Sequence, residues 1–266
     1  MRPAWLLALL VGCAGADAMT SQQPAPAEAQ PANELGLHPG ETMAFEVRLA
    51  GVLAGEAQLA VGQLGDVDGR KAIVVRSRAA TAGAAALIKK ISDEATTVID
   101  VETGRPISLD ARVENSGKTS TATAKFSGAS AEVTYQRSGD KEPRTTKLNF
   151  GTVIVFDAHT AMGQLRGWKA TRGAVRTVYV IGGRRLWKID VTYAGEETIG
   201  SALGNRRAIL FEGKSYRARS NMTVESDKPA RTFSVWLSDD ADRVPLKVTA
   251  KTELGDIVMD LTDYAR

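Results

Sequence analysis

The sequence predicts a mainly β fold, an antiparallel curved sheet that is barrel-like or a sandwich, with one or two short helices. Three observations predict it. Apolar and polar residues alternate with period two along many short runs, as half-buried strands require. Turn residues separate those runs, among them Ser116-Gly117, Ser138-Gly139-Asp140, Glu212-Gly213 and Leu254-Gly255. Two stretches alone switch to helical spacing.

The first element is not part of that fold. One positive charge, Arg2, precedes the apolar residues 4–11, and Leu10-Val11-Gly12-Cys13 follows. Eight apolar residues are too few to cross a bilayer, which takes roughly 20, but suit the apolar centre of an export signal. Leu10-Val11-Gly12-Cys13 resembles the lipobox of bacterial lipoproteins, in which a thiol accepts diacylglycerol and a small preceding residue admits the peptidase. Cys13, the single cysteine of the chain, is therefore the expected lipidation site, with residues 1–12 as the signal peptide. The alternative is ordinary secretion, with cleavage at Ala14-Gly15-Ala16 or Ala16-Asp17-Ala18. Several acyl chains would anchor firmly, since each buried CH₂ contributes roughly 0.8 kcal/mol and one chain alone is marginal.

Residues 13–37 read as a flexible tether rich in Ala, Pro and Gln. They carry no Lys or Arg, no hydrophobic period, and three spacing prolines, Pro24, Pro26 and Pro31. Ala14 after the cysteine fits the outer-membrane default of enterobacteria-like sorting. The expected place is thus the outer membrane facing the periplasm, or the soluble periplasm if Cys13 is not acylated.

Residues 38–266 read as one β-rich domain. Met43, Phe45, Val47 and Leu49 share one face, opposite Thr42, Glu46 and Arg48; Gly51 to Gly55 turns the chain, and Ala57, Leu59 and Val61 repeat the pattern. Residues 82–91, with Leu87, Ile88 and Ile91 clustered, suit a short helix. So do residues 157–166, with Asp157 as N-cap and Ala158, Ala161, Met162 and Leu165 as the buried face, plugging or covering an opening in the sheet. Further on, residues 177–181 and 184–193 flank Gly182-Gly183, a pair suited to a two-residue hairpin turn. In the second arm Trp187, Ile189, Val191 and Tyr193 line one face. Strand-like runs at 207–211 and 217–224 flank Glu212-Gly213, and more follow to residue 261.

Along this domain, Pro39-Gly40-Glu41-Thr42-Met43-Ala44-Phe45, Gly51-Val52-Leu53-Ala54-Gly55-Glu56-Ala57 and Phe156-Asp157-Ala158 occur in order. Phe233-Ser234-Val235-Trp236-Leu237-Ser238-Asp239-Asp240, Arg243-Val244-Pro245-Leu246-Lys247 and Gly255 follow. Together they resemble the bacterial envelope family called domain of unknown function 3108. The resemblance implies a secreted β-rich domain and brings no activity or catalytic residue.

The residues themselves offer little chemistry. Of the two histidines, His38 sits at the domain edge and His159 on the second helix; Asp157 and His159, two apart, would not face each other on a helix. There is no Gly-x-Ser-x-Gly elbow. Ser238-Asp239-Asp240-Ala241-Asp242 is acidic enough to suggest calcium, but lacks the turning Gly and distal Glu of a calcium loop; aspartates capping backbone N–H groups suit it better. No catalytic residue, metal site or cofactor is expected. Trp187 and Trp236 read as core residues, and Arg184-Arg185 and Arg206-Arg207 as solvated loop charges. With 34 basic against 31 acidic residues the near-balance excludes a dedicated nucleic-acid binder. The expected function is a non-enzymatic, membrane-anchored lipoprotein whose β-domain binds an apolar or amphipathic envelope ligand or a partner protein. A scaffolding module of an envelope assembly is the alternative. A polysaccharide hydrolase would need two carboxylates at a set separation.

Overall fold

The computed structural model describes residues 35–266, so Cys13 and most of the tether lie outside the described residues. The described residues form sixteen strands and two helices. The first half holds β1 (Thr42–Leu49), β2 (Val52–Val61), β3 (Gly65–Val67), β4 (Arg70–Thr81), α1 (Gly83–Ile88), β5 (Ile91–Asp100), β6 (Arg105–Asn115), β7 (Lys118–Ser127), β8 (Ser130–Arg137) and β9 (Arg144–Asn149). The second holds β10 (Val155–Asp157), α2 (Ala158–Gly167), β11 (Val175–Gly182), β12 (Arg185–Ser201), β13 (Gly204–Ala218), β14 (Arg231–Ser238), β15 (Pro245–Thr252) and β16 (Gly255–Ala265).

All strands belong to one curved sheet of order β10-β11-β12-β13-β14-β15-β16-β1-β2-β4-β5-β6-β7-β8-β9, with β3 paired onto β4. Every neighbouring pair is antiparallel except β10 and β11. The sheet does not close through hydrogen bonds. Near its two edges, β9 and β10, Leu148, Phe150 and Val155 share one apolar cluster with Val133, Ile181 and Leu186, while the rest of β9 is exposed.

The alternation read in the sequence is the alternation of burial. Met43, Phe45 and Val47 are buried, and Trp187, Ile189, Val191 and Tyr193 face a core with Phe211, Phe233 and Val235. Turn positions differ in detail. The first hairpin turns at Ala50-Gly51, where both residues take positive φ, and β2 begins at Val52 rather than after Gly55. The later one turns at Gly183-Arg184, since Gly182 still pairs with Arg185. Glu212-Gly213 is not a turn but the middle of the fifteen-residue β13. A Cβ on Gly213 would stand 2.0 Å from the ring of Phe233, so this glycine is a seat for an aromatic ring on the neighbouring strand.

Leu35 and Leu37, placed in the tether by composition, pack beside the cluster of Val61, Ile73, Val75 and Ile99. Gly36 donates its N–H to the Gly163 carbonyl at 2.9 Å. That approach is open because Gly163 has no side chain: a Cβ there would sit 2.9 Å from Leu35.

Candidate functional site

The concavity of the sheet is occupied by α2, and both of its faces are used. Asp157 ends β10 in an extended conformation and N-caps the helix, as expected. Its carboxylate accepts from the backbone N–H of His159 at 3.0 Å and of Thr160 at 3.2 Å, satisfying donors that a helix start leaves open. It also accepts from the hydroxyls of Thr160 and, at 2.6 Å, of Thr97 on β5.

These contacts fix a proton order. The single hydroxyl proton of Thr97 goes to Asp157, so Thr97 Oγ1 must accept from His159 Nδ1, 2.7 Å away. His159 Nε2 then carries a lone pair and accepts from Ser77 Oγ on β4 at 2.6 Å. The result is a chain from Ser77 through His159 and Thr97 to Asp157, all four buried. Although residues two apart on a helix would not face each other, Asp157 is the cap and not a helical residue, so His159 Nδ1 lies 3.7 Å from its carboxylate and Thr97 bridges the two from another strand.

Burial holds the His159 imidazole below its ordinary value of 6.5, against the smaller opposing pull of Asp157. The unfolded chain therefore takes up this proton first as pH falls. Stability from this group is complete above pH 6.5 and is lost below it, by at most about 1.4 kcal/mol per pH unit, until the folded-state value is passed. Urea titrations between pH 7.5 and pH 5 should show a steeper loss for the native protein than for His159→Gln. Parallel losses would mean that His159 is already charged in the fold.

The other end of α2 is held by an ion pair. Arg166, 2 % exposed, donates Nη1 and Nη2 to the two oxygens of Glu41, which is fully buried, at 2.5 and 2.8 Å. The same guanidinium reaches the carbonyls of Arg243 at 3.0 Å and Asp242 at 2.8 Å. Glu41 precedes β1, and the two carbonyls belong to the β14–β15 connection. Pieces of chain that read as separate signatures thus converge on one helix.

The opposite face of α2 is apolar and less covered. Ala161, Met162 and Leu165 are half-buried, which corrects the expectation that they form the buried face; the most buried positions are His159, Thr160, Gly163, Gln164 and Arg166. Polar side chains can occupy the inside because each has a partner: Ser77 and Thr97 for His159, the Asp157 cap for Thr160, the Gly104 carbonyl of the β5–β6 turn for Gln164, and Glu41 for Arg166. Between the apolar face and β11, β12 and β14 runs a slot lined by Leu165, Trp168, Val178, Ile189, Val191 and Phe233. Trp168 stacks on Phe211 with ring centres 5.6 Å apart, and the Arg176 guanidinium lies 4.5 Å over its ring. The free volume of the slot is about 50 Å³, room for a water or two. A larger hollow, about 510 Å³, lies on the outward face of β1, β2, β4 and β5 among Gln58, Arg76, Arg78 and Glu94. It is solvent-open and carries an Arg78–Glu94 pair at 3.5 Å, so the apolar slot is the better candidate for a lipid-like ligand.

The remaining expectations fall as follows. Asp240 accepts from Ser238 Oγ and from the N–H groups of Asp242 and Arg243, the capping expected of the acidic loop. Asp239 pairs with Arg207 at 2.9 Å, and Arg184 lies over the Tyr135 ring. Trp187 is in the core, but Trp236 is half-buried on the outward face, its indole N–H donating to Glu197. Among the described residues no cluster of three or more His, Cys, Asp or Glu side chains could hold a metal ion, and no helix is long and apolar enough to cross a membrane.

The family described as Protein of unknown function (DUF3108) matches residues 44–262. This chain belongs to the DUF3108 family. The match spans the sheet and all of α2, and so confirms the resemblance read from the motif pieces. Among solved structures, this DUF3108 chain is similar to a beta-barrel-like protein of domain of unknown function DUF1849 from Brucella abortus. The two are 10% identical with a TM-score of 0.54, over 85% of this chain and 97% of that one. That likeness shows a shared fold. A protein with a YmcC-like fold from Bacteroides fragilis matches at 9% identity and a TM-score of 0.41, over 89% of this chain and 100% of its own. The hypothetical lipoprotein YmcC from Escherichia coli matches at 10% identity and 0.31, over 86% of each chain. Neither carries an argument about function at such scores. No curated protein matches the DUF3108 chain by sequence.

Proposed function

We propose that this protein is a non-enzymatic lipoprotein of the bacterial outer membrane, tethered through acylated Cys13 and facing the periplasm. Its β-domain takes the apolar part of an acidic, amphipathic envelope molecule into the slot beside α2. The observation that carries this reading is the asymmetry of α2. Its polar side is fastened by buried hydrogen bonds to Ser77 on β4, Thr97 on β5 and Glu41 before β1, whereas its apolar face packs against β11, β12 and β14, with Arg176 at the slot. At about 50 Å³ the slot is closed to a ligand, so entry requires Trp168 to swing aside. Trp168 is suited to that: it leads into the largely exposed residues 169–173 and is held by stacking. The absence of a catalytic role rests on Ser77, whose hydroxyl points into the core at His159 and is 6% exposed as a residue.

Native mass spectrometry of the full chain, extracted from membranes in mild detergent, tests both parts. The expected mature chain begins at an acylated Cys13 and carries a lipid-like adduct. Ala161→Leu, whose added volume is close to that of the slot and does not touch the polar face, should lose the adduct with only a small change in melting temperature. A free N-terminus at Gly15, Asp17 or Met19 would remove the anchor from the reading, and an adduct retained by Ala161→Leu would remove the slot.

A further inference from the structure

One end of the sheet carries apolar side chains that nothing covers. Leu87 and Ile88, on α1, are 90% and 89% exposed, and no residue of α1 is buried. Val52 and Leu53 at the start of β2 are 64% and 39% exposed, and Leu254 in the β15–β16 turn is 71% exposed. These belong to three connections that lie side by side. Ala50 donates its N–H to the Asp256 carbonyl at 2.9 Å, Ala82 donates to Ala54 at 3.1 Å, and Leu53 touches Gly83. Single exposed apolar residues are ordinary on a protein surface, but five grouped at one end are not.

Charge indicates what meets them. Lys89 and Lys90 follow Ile88 directly, both exposed, and neither has an acidic partner among the described residues. Lys118, also exposed, opens β7 at the same end, whereas Lys251 is offset by Asp256 across from it and by Glu253 in the same turn. Apolar side chains at an apex with unpaired lysines behind them are what an interfacial anchor needs: the first enter the acyl boundary while the second meet acidic headgroups. The shape agrees, since Leu87 and Ile88 protrude on a six-residue helix, and a bilayer yields around a tip where a rigid protein surface would need a matching pocket. Leu35 and Leu37 pack beside Val61 and Ile99, at the opposite end of β2 and β5, so the tip points away from where the N-terminal chain joins the domain.

We propose that this tip, formed by α1 and the adjoining β1–β2 and β15–β16 turns, docks on an anionic lipid surface. The docking is independent of the slot and of Cys13. Flotation of the full chain carrying Cys13→Ser, so that no acyl chain contributes, tests it with phosphatidylethanolamine–phosphatidylglycerol vesicles and with neutral phosphatidylcholine vesicles. The expected result is binding to the anionic vesicles that weakens at high salt. Leu87→Asp with Ile88→Asp should lower it about tenfold or more, and Lys89→Glu with Lys90→Glu should erase the preference for anionic lipid. Melting temperatures should not change, because these side chains pack against nothing; Leu87→Ser with Ile88→Ser serves as the milder pair. Absence of flotation, or equal flotation of the aspartate pair, overturns the proposal. So does self-association that the aspartate pair abolishes without any vesicle binding, which would assign the tip to a second copy.

Discussion

Glu41→Ala should destabilise the fold by about 3–5 kcal/mol, the cost of leaving one member of a buried ion pair without its partner. The effect is large because Arg166 has nowhere to take its charge. It is 2 % exposed, its aliphatic stem runs inside the sheet, and without Glu41 its remaining acceptors are the carbonyls of Asp242 and Arg243. The His38 backbone N–H, which donates to Glu41 at 3.1 Å, is orphaned as well. Urea unfolding should show the change as a lower midpoint at unchanged slope. The pair itself is not expected to contribute that much, because desolvating two charges offsets most of their attraction. Glu41→Leu combined with Arg166→Met should therefore be less damaging than Glu41→Ala alone, which a double-mutant cycle reads as a large coupling. A loss below about 1 kcal/mol in the single variant would mean that water reaches Arg166.

This ion pair also marks how far the sequence was legible. Strands such as β1 and β12 could be read because each buries one face, and period-two alternation records that locally. What alternation does not record is contact between distant pieces. Glu41 and Arg166 are 125 residues apart, Ser77 and His159 are 82 apart, and Thr97 and Asp157 are 60 apart. Asp157 could be recognised as an N-cap because capping is local, yet its partner Thr97 could not. The face of α2 was misjudged for a related reason. Periodicity assigns the inside to apolar residues, whereas here His159, Thr160 and Gln164 lie inside because Ser77 and Thr97, the Asp157 cap and the Gly104 carbonyl supply their hydrogen bonds. Gly213 misled in the other direction: a glycine that seats Phe233 in mid-strand looks, in sequence, like one that turns the chain. The slot inherits both errors, since it lies between the less buried face of α2 and the Phe233 that Gly213 admits.

The second large effect is expected at Asp157, where two substitutions should differ in kind. Asp157→Ala removes the N-cap, worth about 0.5–2 kcal/mol. It also strands the buried hydroxyls of Thr97 and Thr160, each costing roughly 1–3 kcal/mol when unpaired. A total loss of about 3–5 kcal/mol in urea unfolding is expected, with α2 loosened at its start. Asp157→Asn has nearly the same shape and should cost less, but it changes the proton order. A carboxylate only accepts, which forces the Thr97 proton toward Asp157 and the His159 proton onto Nδ1. An asparagine amide turned with its nitrogen toward Thr97 can donate to Thr97 Oγ1 instead, at the cost of the His159 N–H bond that the same position accepts in the native cap. Thr97 is then free to donate to Nδ1, and the His159 proton moves to Nε2, where it meets Ser77. The tautomer is readable by nitrogen NMR of the imidazole at pH 7.5, with the native protein expected as Nδ1–H and Asp157→Asn as Nε2–H. An unchanged tautomer in the asparagine variant would mean that Ser77, and not Asp157, sets the direction of the chain. Because all four groups are buried, the same reversal should leave the surface of the domain unaltered, so vesicle flotation serves as the control.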